Sequence, residues 1–227
     1  VRFQVEAGPL YTIASVEPDS TPLEPGAPAR AADIVAAKER LVERLRNRGH
    51  PFAEAGQPRA VVDHERRTVD VEIPVDRGPQ ARFGPVRISG LDRVEEPFVR
   101  ERLAWEEGSL YDASLLETTR ERLISTGLFS VVEVRPESPV EDGRVPVRVK
   151  GQERKPRTVA VGLRYRTDEG PGVRGSWTHR NLLGRGERVS LDATASADLL
   201  GLEGAFRKPG FLHPDRTLVA EAGAGVE

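Results

Sequence analysis

The chain has 227 residues, 37% of them hydrophobic and 31% charged, and 34 Lys and Arg against 36 Asp and Glu leave a net charge of −2. This apolar content supports small cores, but no run approaches the ~18–20 apolar residues of a membrane-crossing helix, and the interspersed charges leave no basic face for nucleic acid. Cysteine is absent, which removes disulfide frameworks, thiolate metal sites and cysteine nucleophiles together.

In chain order, VRFQV at Val1–Val5 already alternates like a strand in progress, and the chain stops at Glu227 inside another alternating stretch. Both ends are those expected of an internal piece of a longer protein, with residues 1–5 as the end of a preceding module. A first module then spans 6–79. Tyr11–Val16 is its opening strand, and Glu17–Pro28, with four prolines, is a loop. Ala31–Arg48 predicts a helix with Ile34, Lys38, Leu41 and Leu45 on one stripe. Ala60–Asp63 and Val69–Val75 form a closing hairpin, and Arg77-Gly78-Pro79 is the joint to the next module.

The second module, 80–152, repeats this arrangement. Gly84–Gly90 is a strand. Pro97 suits a first helical turn, where its missing N–H costs nothing, and Phe98, Val99, Leu103 and Trp105 mark a short helix ending at Gly108. Asp112 is an N-cap residue for a second helix, in which Leu115, Leu116, Thr119, Leu123 and Ile124 recur at helical spacing before the stop at Gly127. Leu128–Arg135 and Val145–Lys150 are strands joined across Glu141-Asp142-Gly143. One core should unite Phe98, Leu103, Leu116, Leu123 and Phe129. The helix ends Glu39–Gly49 and Thr118–Gly127 stop on glycines 78 residues apart and each leads into two β-prone segments, so one β-α-α-β-β unit occurs twice.

After Lys155 the helical pattern disappears, and 153–227 reads as glycine-broken strands. Arg157–Arg166 sets Val159, Val161, Leu163 and Tyr165 against Thr158, Ala160, Arg164 and Arg166. Glu187–Ala197 sets Val189, Leu191, Ala193, Ala195 and Ala197 against Arg188, Ser190, Asp192, Thr194 and Ser196. Such alternation over about ten residues fits a strand with one face in lipid and one in a wet lumen. It fits equally a soluble antiparallel sheet with one wet face. Four or five strands cannot close a barrel, for which about eight is the practical minimum.

Catalytic chemistry is not evident. His50, His64, His179 and His213 show no metal-ligand spacing, and neither a G-x-S-x-G elbow nor a P-loop occurs. Gly184-Arg185-Gly186 is not followed by a helix and reads as a strand-to-strand turn. The acid pairs Glu95-Glu96, Glu106-Glu107 and Glu141-Asp142 fall at helix ends and turns. Lys150, Arg154, Lys155 and Arg157 form a basic cluster at the start of the alternating region, read as a solvated linker rather than a headgroup contact.

The runs FGPVRISG, EGSLYD and LISTGLFSVVEVRP resemble a POTRA domain, the periplasmic module of outer-membrane assembly and secretion proteins. Gly162–Gly170 and Trp177–Glu187, the latter carrying NLLGRGE, resemble the opening of the barrel attached to such domains. The segments AADIVAAKERLVERLRNRGHPFAEA and VDRGPQARFGPV are similar to the penultimate POTRA domain of the TamA-like branch of the BamA/TamA superfamily. The resemblance implies an α+β fold of tandem POTRA domains followed by the first strands of an antiparallel transmembrane β-barrel. It implies residence in the bacterial outer membrane with POTRA domains in the periplasm. The implied function is assembly or translocation of β-barrel and autotransporter-type substrates without ATP, with neither cofactor nor catalysis. Implied partners are unfolded outer-membrane proteins, outer-membrane lipid and a periplasm-spanning TamB-like protein, with no nucleic acid.

In that family's arrangement the strand after the second helix is an open edge that accepts an incoming strand. Here it would be Phe129, Ser130, Val131, Val132, Glu133, Val134 and Arg135, with Arg59–Asp63 as its counterpart in the first module. Thr158, Val159, Val161, Gly162, Leu163 and Tyr165 would belong to a first barrel strand that pairs weakly with the last, so that the seam opens sideways. Gly162, and Gly170 and Gly172 in the following turn, would ease bending there. Three alternatives stay open: a two-partner secretion transporter, a soluble POTRA-bearing adaptor, and an enzyme with a hydrolase domain fused upstream.

Overall fold

A computed structural model of the chain describes residues 9–166, 170–196, 199–212 and 216–226. The expected remnant at 1–5, Thr167-Asp168-Glu169, Ala197, His213 and Glu227 lie outside the described residues. The chain forms two compact units. One runs to Pro85 and takes in Trp105–Ser114 and Pro136–Pro146; the other comprises Val86–Ala104, Leu115–Arg135 and the chain from Val147.

In the first unit, β1 (Thr12–Glu17) is followed by a turn-rich stretch and α1 (Ala31–Arg46). Ile34, Ala37 and Leu41 are buried along the helix, and Ile34 and Leu41 pack with Val69, Val71 and Ile73. Ala37 takes the buried place on the stripe beside the half-buried Lys38. The helix is two residues shorter than expected, because the Arg48 N–H turns back to Leu45 O and Gly49 adopts φ +98°. A small ribbon, β2 (Glu54–Ala55), precedes β3 (Arg59–Asp63) and β4 (Thr68–Glu72), and β5 (Val75–Asp76) completes the ribbon with β2. The expected strand Val69–Val75 is thus split. Pro74 lacks an N–H for the ladder, and its carbonyl instead accepts the Gly56 N–H at 2.8 Å. The main sheet has the order β1-β4-β3, with β1 parallel and β3 antiparallel to the central β4. Phe83 stacks on Trp105 with ring centroids 4.7 Å apart and packs against Tyr111, whose phenol is pushed up to about 12 by burial.

The second β-α-α-β-β arrangement consists of β6 (Arg82–Ser89), α2 (Glu96–Arg100), α3 (Ala113–Ser125), β7 (Phe129–Pro136) and β8 (Arg144–Glu153). Pro97 does occupy the first turn of α2, and the Asp112 carboxylate accepts the Ser114 N–H at 2.9 Å at the head of α3. Helix α2 ends far short of Gly108. Its continuation tightens into turns (Arg102 N–H to Val99 O, Leu103 N–H to Arg100 O), and the Ala104 N–H is taken by Thr119 Oγ1. The sheet order is β6-β8-β7. The β7–β8 turn carries Asp142 at φ +48° and Gly143 at φ +69°, the paired left-handed residues that a tight hairpin requires. In the second unit, Val94, Phe98, Val99, Leu123, Leu128, Phe129, Val132 and Val149 form one core, and Leu103 packs at its margin. Leu116 is buried but outside this cluster.

The remaining strands, β9 (Arg157–Arg166), β10 (Gly170–Arg180), β11 (Arg188–Ser196), β12 (Leu200–Pro209) and β13 (Thr217–Val226), form a consecutive antiparallel meander. Gly170 and Gly172 are in β10 rather than in the turn before it, paired with Arg166 and Arg164. The register aligns the faces across all five strands. Val159, Trp177, Leu191, Gly204 and Ala222 form one row; Val161, Gly175, Ala193, Leu202 and Ala224 the next; Leu163, Val173, Ala195, Leu200 and Val226 a third. The opposite face carries Thr158, Thr178, Ser190, Asp192, Arg174, Glu203 and Glu221.

Candidate functional site: strand edges and a docked turn

Strand β7 occupies an edge of its sheet, bonded on one side by β8. It is anchored inward by Phe129 and Val132, both buried, while Ser130, Val131 and Arg135 are exposed and Glu133 and Val134 half-buried. Ser130 and Val131 are successive outward residues, so the alternation slips once near the start of the strand. Glu133 and Arg135 pair at 2.9 Å. An edge row of unpaired N–H and C=O groups can accept another extended segment through its backbone. Strand β3 is likewise an edge and is much less anchored, with Val61 and Val62 both exposed.

Strand β9 has a single neighbour, β10, among the described residues. Val159, Val161, Leu163 and Tyr165 are each at least 70% exposed, and Gly162 lies mid-strand on the other face. Three residues separate β8 from β9. Within this link Arg154 donates its backbone N–H to Leu128 O (2.7 Å) and its Nε to Phe129 O (2.9 Å). The start of β7 and the Thr158 end of β9 are therefore brought together, whereas Tyr165 lies at the far end of its strand. The basic cluster proposed from sequence is not a purely solvated linker, since Arg154 is part of this joint.

The β10–β11 turn, Asn181–Glu187, holds more structure than its glycines foretold. Glu187 is almost fully buried, and its carboxylate accepts the Leu183 and Arg185 N–H groups at 3.3 and 3.1 Å. Asn181 accepts the Gly186 N–H and donates to Arg93 O. Gly184 O accepts the Glu95 N–H at 3.0 Å, Arg185 pairs with Glu101 at 2.5 Å, and Gly186 sits against the Phe98 ring. The turn is thus docked on the entry to α2. Nearby, the Glu153 carboxylate accepts the N–H groups of Asp92, Arg93 and Val94 at 2.8–2.9 Å. Burial pushes this carboxyl up, but those three N–H bonds and the Arg93 charge outweigh it and hold it below the usual range. Among the described residues no His, Asp and Glu cluster could hold a metal ion.

The structure thus joins a β-α-α-β-β module, by a three-residue link from its middle strand, to a broad amphipathic antiparallel meander. Residues 81–154 match the POTRA family, described as a surface antigen variable number repeat. The outer membrane protein assembly factor BamA of Nitratidesulfovibrio vulgaris is 24% identical over 180 residues, covering 79% of this chain and 23% of that protein. BamA of Neisseria meningitidis serogroup B is 24% identical over 192 residues, 83% of this chain and 24% of that protein. The chain thus spans about a quarter of the length of these relatives. The crystal structure of Haemophilus ducreyi BamA lacking POTRA domains 1–3 superposes with a TM-score of 0.81 at 20% identity, over 95% of this chain and 43% of that one. That of Haemophilus influenzae BamA POTRA3–5 gives 0.53 at 24% identity, over 63% and 61%. Residues 81–154 thus match a POTRA domain, and the chain has the fold of the POTRA and barrel-opening regions of BamA.

Proposed function

We propose that the protein is an outer-membrane protein assembly factor, of which this chain comprises two POTRA domains (6–79 and 80–152) and the first strands of the barrel (153–227). It resides in the outer membrane with the POTRA domains in the periplasm. The observation that carries this reading is the apolar face of the meander. Its three central rows hold only apolar residues and glycine across five strands, with His179 and Arg157 in the next row, and Val159, Val161, Leu163 and Tyr165 on it are strongly exposed. A face of this breadth is stable against hydrocarbon and costly against water. The relatives are named as assembly factors, which supports binding and insertion rather than catalysis. On the TamA-like reading the protein would also retain a periplasm-spanning TamB-like partner on co-purification.

Unfolded outer-membrane proteins are the substrates. Strand β7, with β3 as a second acceptor, captures an extended segment through backbone hydrogen bonds, and β9 forms the seam at which that segment enters the sheet. No step requires ATP. Full-length protein is expected to fractionate with the outer membrane and to show heat-modifiable gel mobility; a water-soluble full-length protein refutes the barrel. A photo-crosslinker at Ser130 or Glu133 is expected to yield adducts with nascent outer-membrane proteins. Absence of adducts at both, in a protein with normal mobility, refutes capture at β7.

A further inference from the structure

On the polar face of the meander, at the end carrying the docked turn, Arg180, Arg188 and Arg207 stand directly opposite one another on β10, β11 and β12. Adjacent strands lie ~4.8 Å apart, and like charges placed directly opposite destabilise a sheet. Little on this face relieves them. Arg180 donates to Thr158 Oγ1 at 2.7 Å. Among the described residues Arg188 and Arg207 are both exposed and have no carboxylate partner. Glu187 is engaged by its own turn, Glu101 by Arg185 and Asp192 by Arg174, while Glu221 and Glu203 share the face one and two same-face steps further along, away from the row. Arg93, Arg154 and Lys155 border Arg180 in an adjoining cleft and extend the positive surface.

We propose that Arg180, Arg188 and Arg207 form a binding row for carboxylate-bearing extended polypeptide entering the mouth of the barrel. The proposal rests on the barrel reading above and adds a chemical preference to it. Strand alternation fixes the kind of ligand. The row shares its face with Ser190 and Asp192, opposite the apolar rows, so lipid headgroups gathered around the apolar face are on the wrong side of the sheet. A guanidinium binds a carboxylate through two parallel hydrogen bonds. Same-face side chains of an extended chain recur every ~7 Å, and the row spans two strand spacings, ~10 Å. Carboxylates at alternate positions of a peptide therefore reach the outer arginines through their flexible stems.

The test uses full-length protein in detergent and a fluorescein-labelled peptide alternating Glu with Ser, compared with its Gln counterpart by anisotropy. The Glu peptide is expected to bind about tenfold more tightly, the scale of one or two charge-assisted hydrogen bonds, and added salt should erase the difference. R188Q/R207Q should remove the preference, while R188K/R207K keeps part of it. Heat-modifiable mobility checks that each variant folds, and the wild-type comparison needs no variant at all. Equal affinity for the two peptides overturns the proposal, as does an unchanged preference in R188Q/R207Q. Displacement of the Glu peptide by phosphatidylglycerol vesicles but not by phosphatidylcholine vesicles assigns the row to lipid and also overturns it. Crosslinking at Ser130 reports the assembly reading separately, so either idea can fail alone.

Discussion

Gly186→Ala tests whether the docked turn is a fixed joint. Gly186 has φ +82°, and an added Cβ would meet the Phe98 ring at 3.1 and 3.2 Å and Pro209 at 3.4 Å. The left-handed conformation costs a residue with a side chain ~1–2 kcal/mol. Phe98 is 2% exposed within the core, so its ring cannot swing aside, and overpacking adds ~1–3 kcal/mol. A local loss of about 3 kcal/mol follows, equivalent to roughly a 100-fold change in an opening equilibrium. Native-state hydrogen exchange measures it at two amides: Glu95 N–H, bonded to Gly184 O, and Leu182 N–H, bonded to Glu187 O. Both should exchange roughly 100-fold faster, within the limit set by global unfolding. Gly210→Ala is the control, since Gly210 has φ +68° with nothing within 4 Å of an added Cβ; it should leave both amides protected. Unchanged exchange in Gly186→Ala would refute the argument that the turn is held by packing on Phe98.

Phe129→Ala should destabilise the second POTRA domain by roughly 3–5 kcal/mol, because the ring is 1% exposed in the core; chemical denaturation measures this, and a loss under 1 kcal/mol would contradict the core assignment. Glu153 is held below its ordinary value of 4.5 in the folded chain, so its capping of Asp92–Val94 stabilises fully at neutral pH and fades as pH falls from about 4.5 through the folded value. Glu153→Gln should flatten that part of the stability–pH curve; an unaltered acid limb would assign it to other carboxylates. Val132→Pro should abolish Ser130 crosslinking by deleting a ladder donor on β7, whereas Glu133→Gln should leave it intact, with circular dichroism confirming that each variant folds.

Much of the fold is readable where a single residue type settles a local choice. Asp112 caps α3, and Asp142-Gly143 makes the tight turn, because each depends on its own backbone and a near neighbour. Errors arise where apolar residues serve different partners. Leu103 and Trp105 continue the helical spacing of Phe98 and Val99, yet Leu103 packs at the core margin while Trp105 stacks on Phe83. Val75 continues the alternation of β4 but follows Pro74, which redirects it to β2. Gly170 and Gly172 carry turn-like composition and still join the ladder with β9. The alternation in β9 and β11 was visible and fits a lipid-facing sheet and a soluble one equally; what it could not show is the register that lines up apolar residues across five strands. The same register creates the row Arg180, Arg188 and Arg207, whose members are widely separated in sequence. Glu187 was equally hidden, since its burial comes from a turn folded around it and docked on Arg93–Phe98.

The passage from β8 to β9 has a mechanical consequence. Strand β8 is the middle strand of its sheet, and only Arg154–Pro156 separate it from β9. Tension applied to β9 as the meander deforms is delivered along β8 in shear, against hydrogen-bond ladders on both flanks that must fail together. An edge strand in the same place would peel one bond at a time. The module is therefore tethered through its strongest element, and its margin, β7, is loaded only through its ladder with β8 and its bonds to Arg154. A pull on β9 is thereby shared across the whole three-stranded sheet.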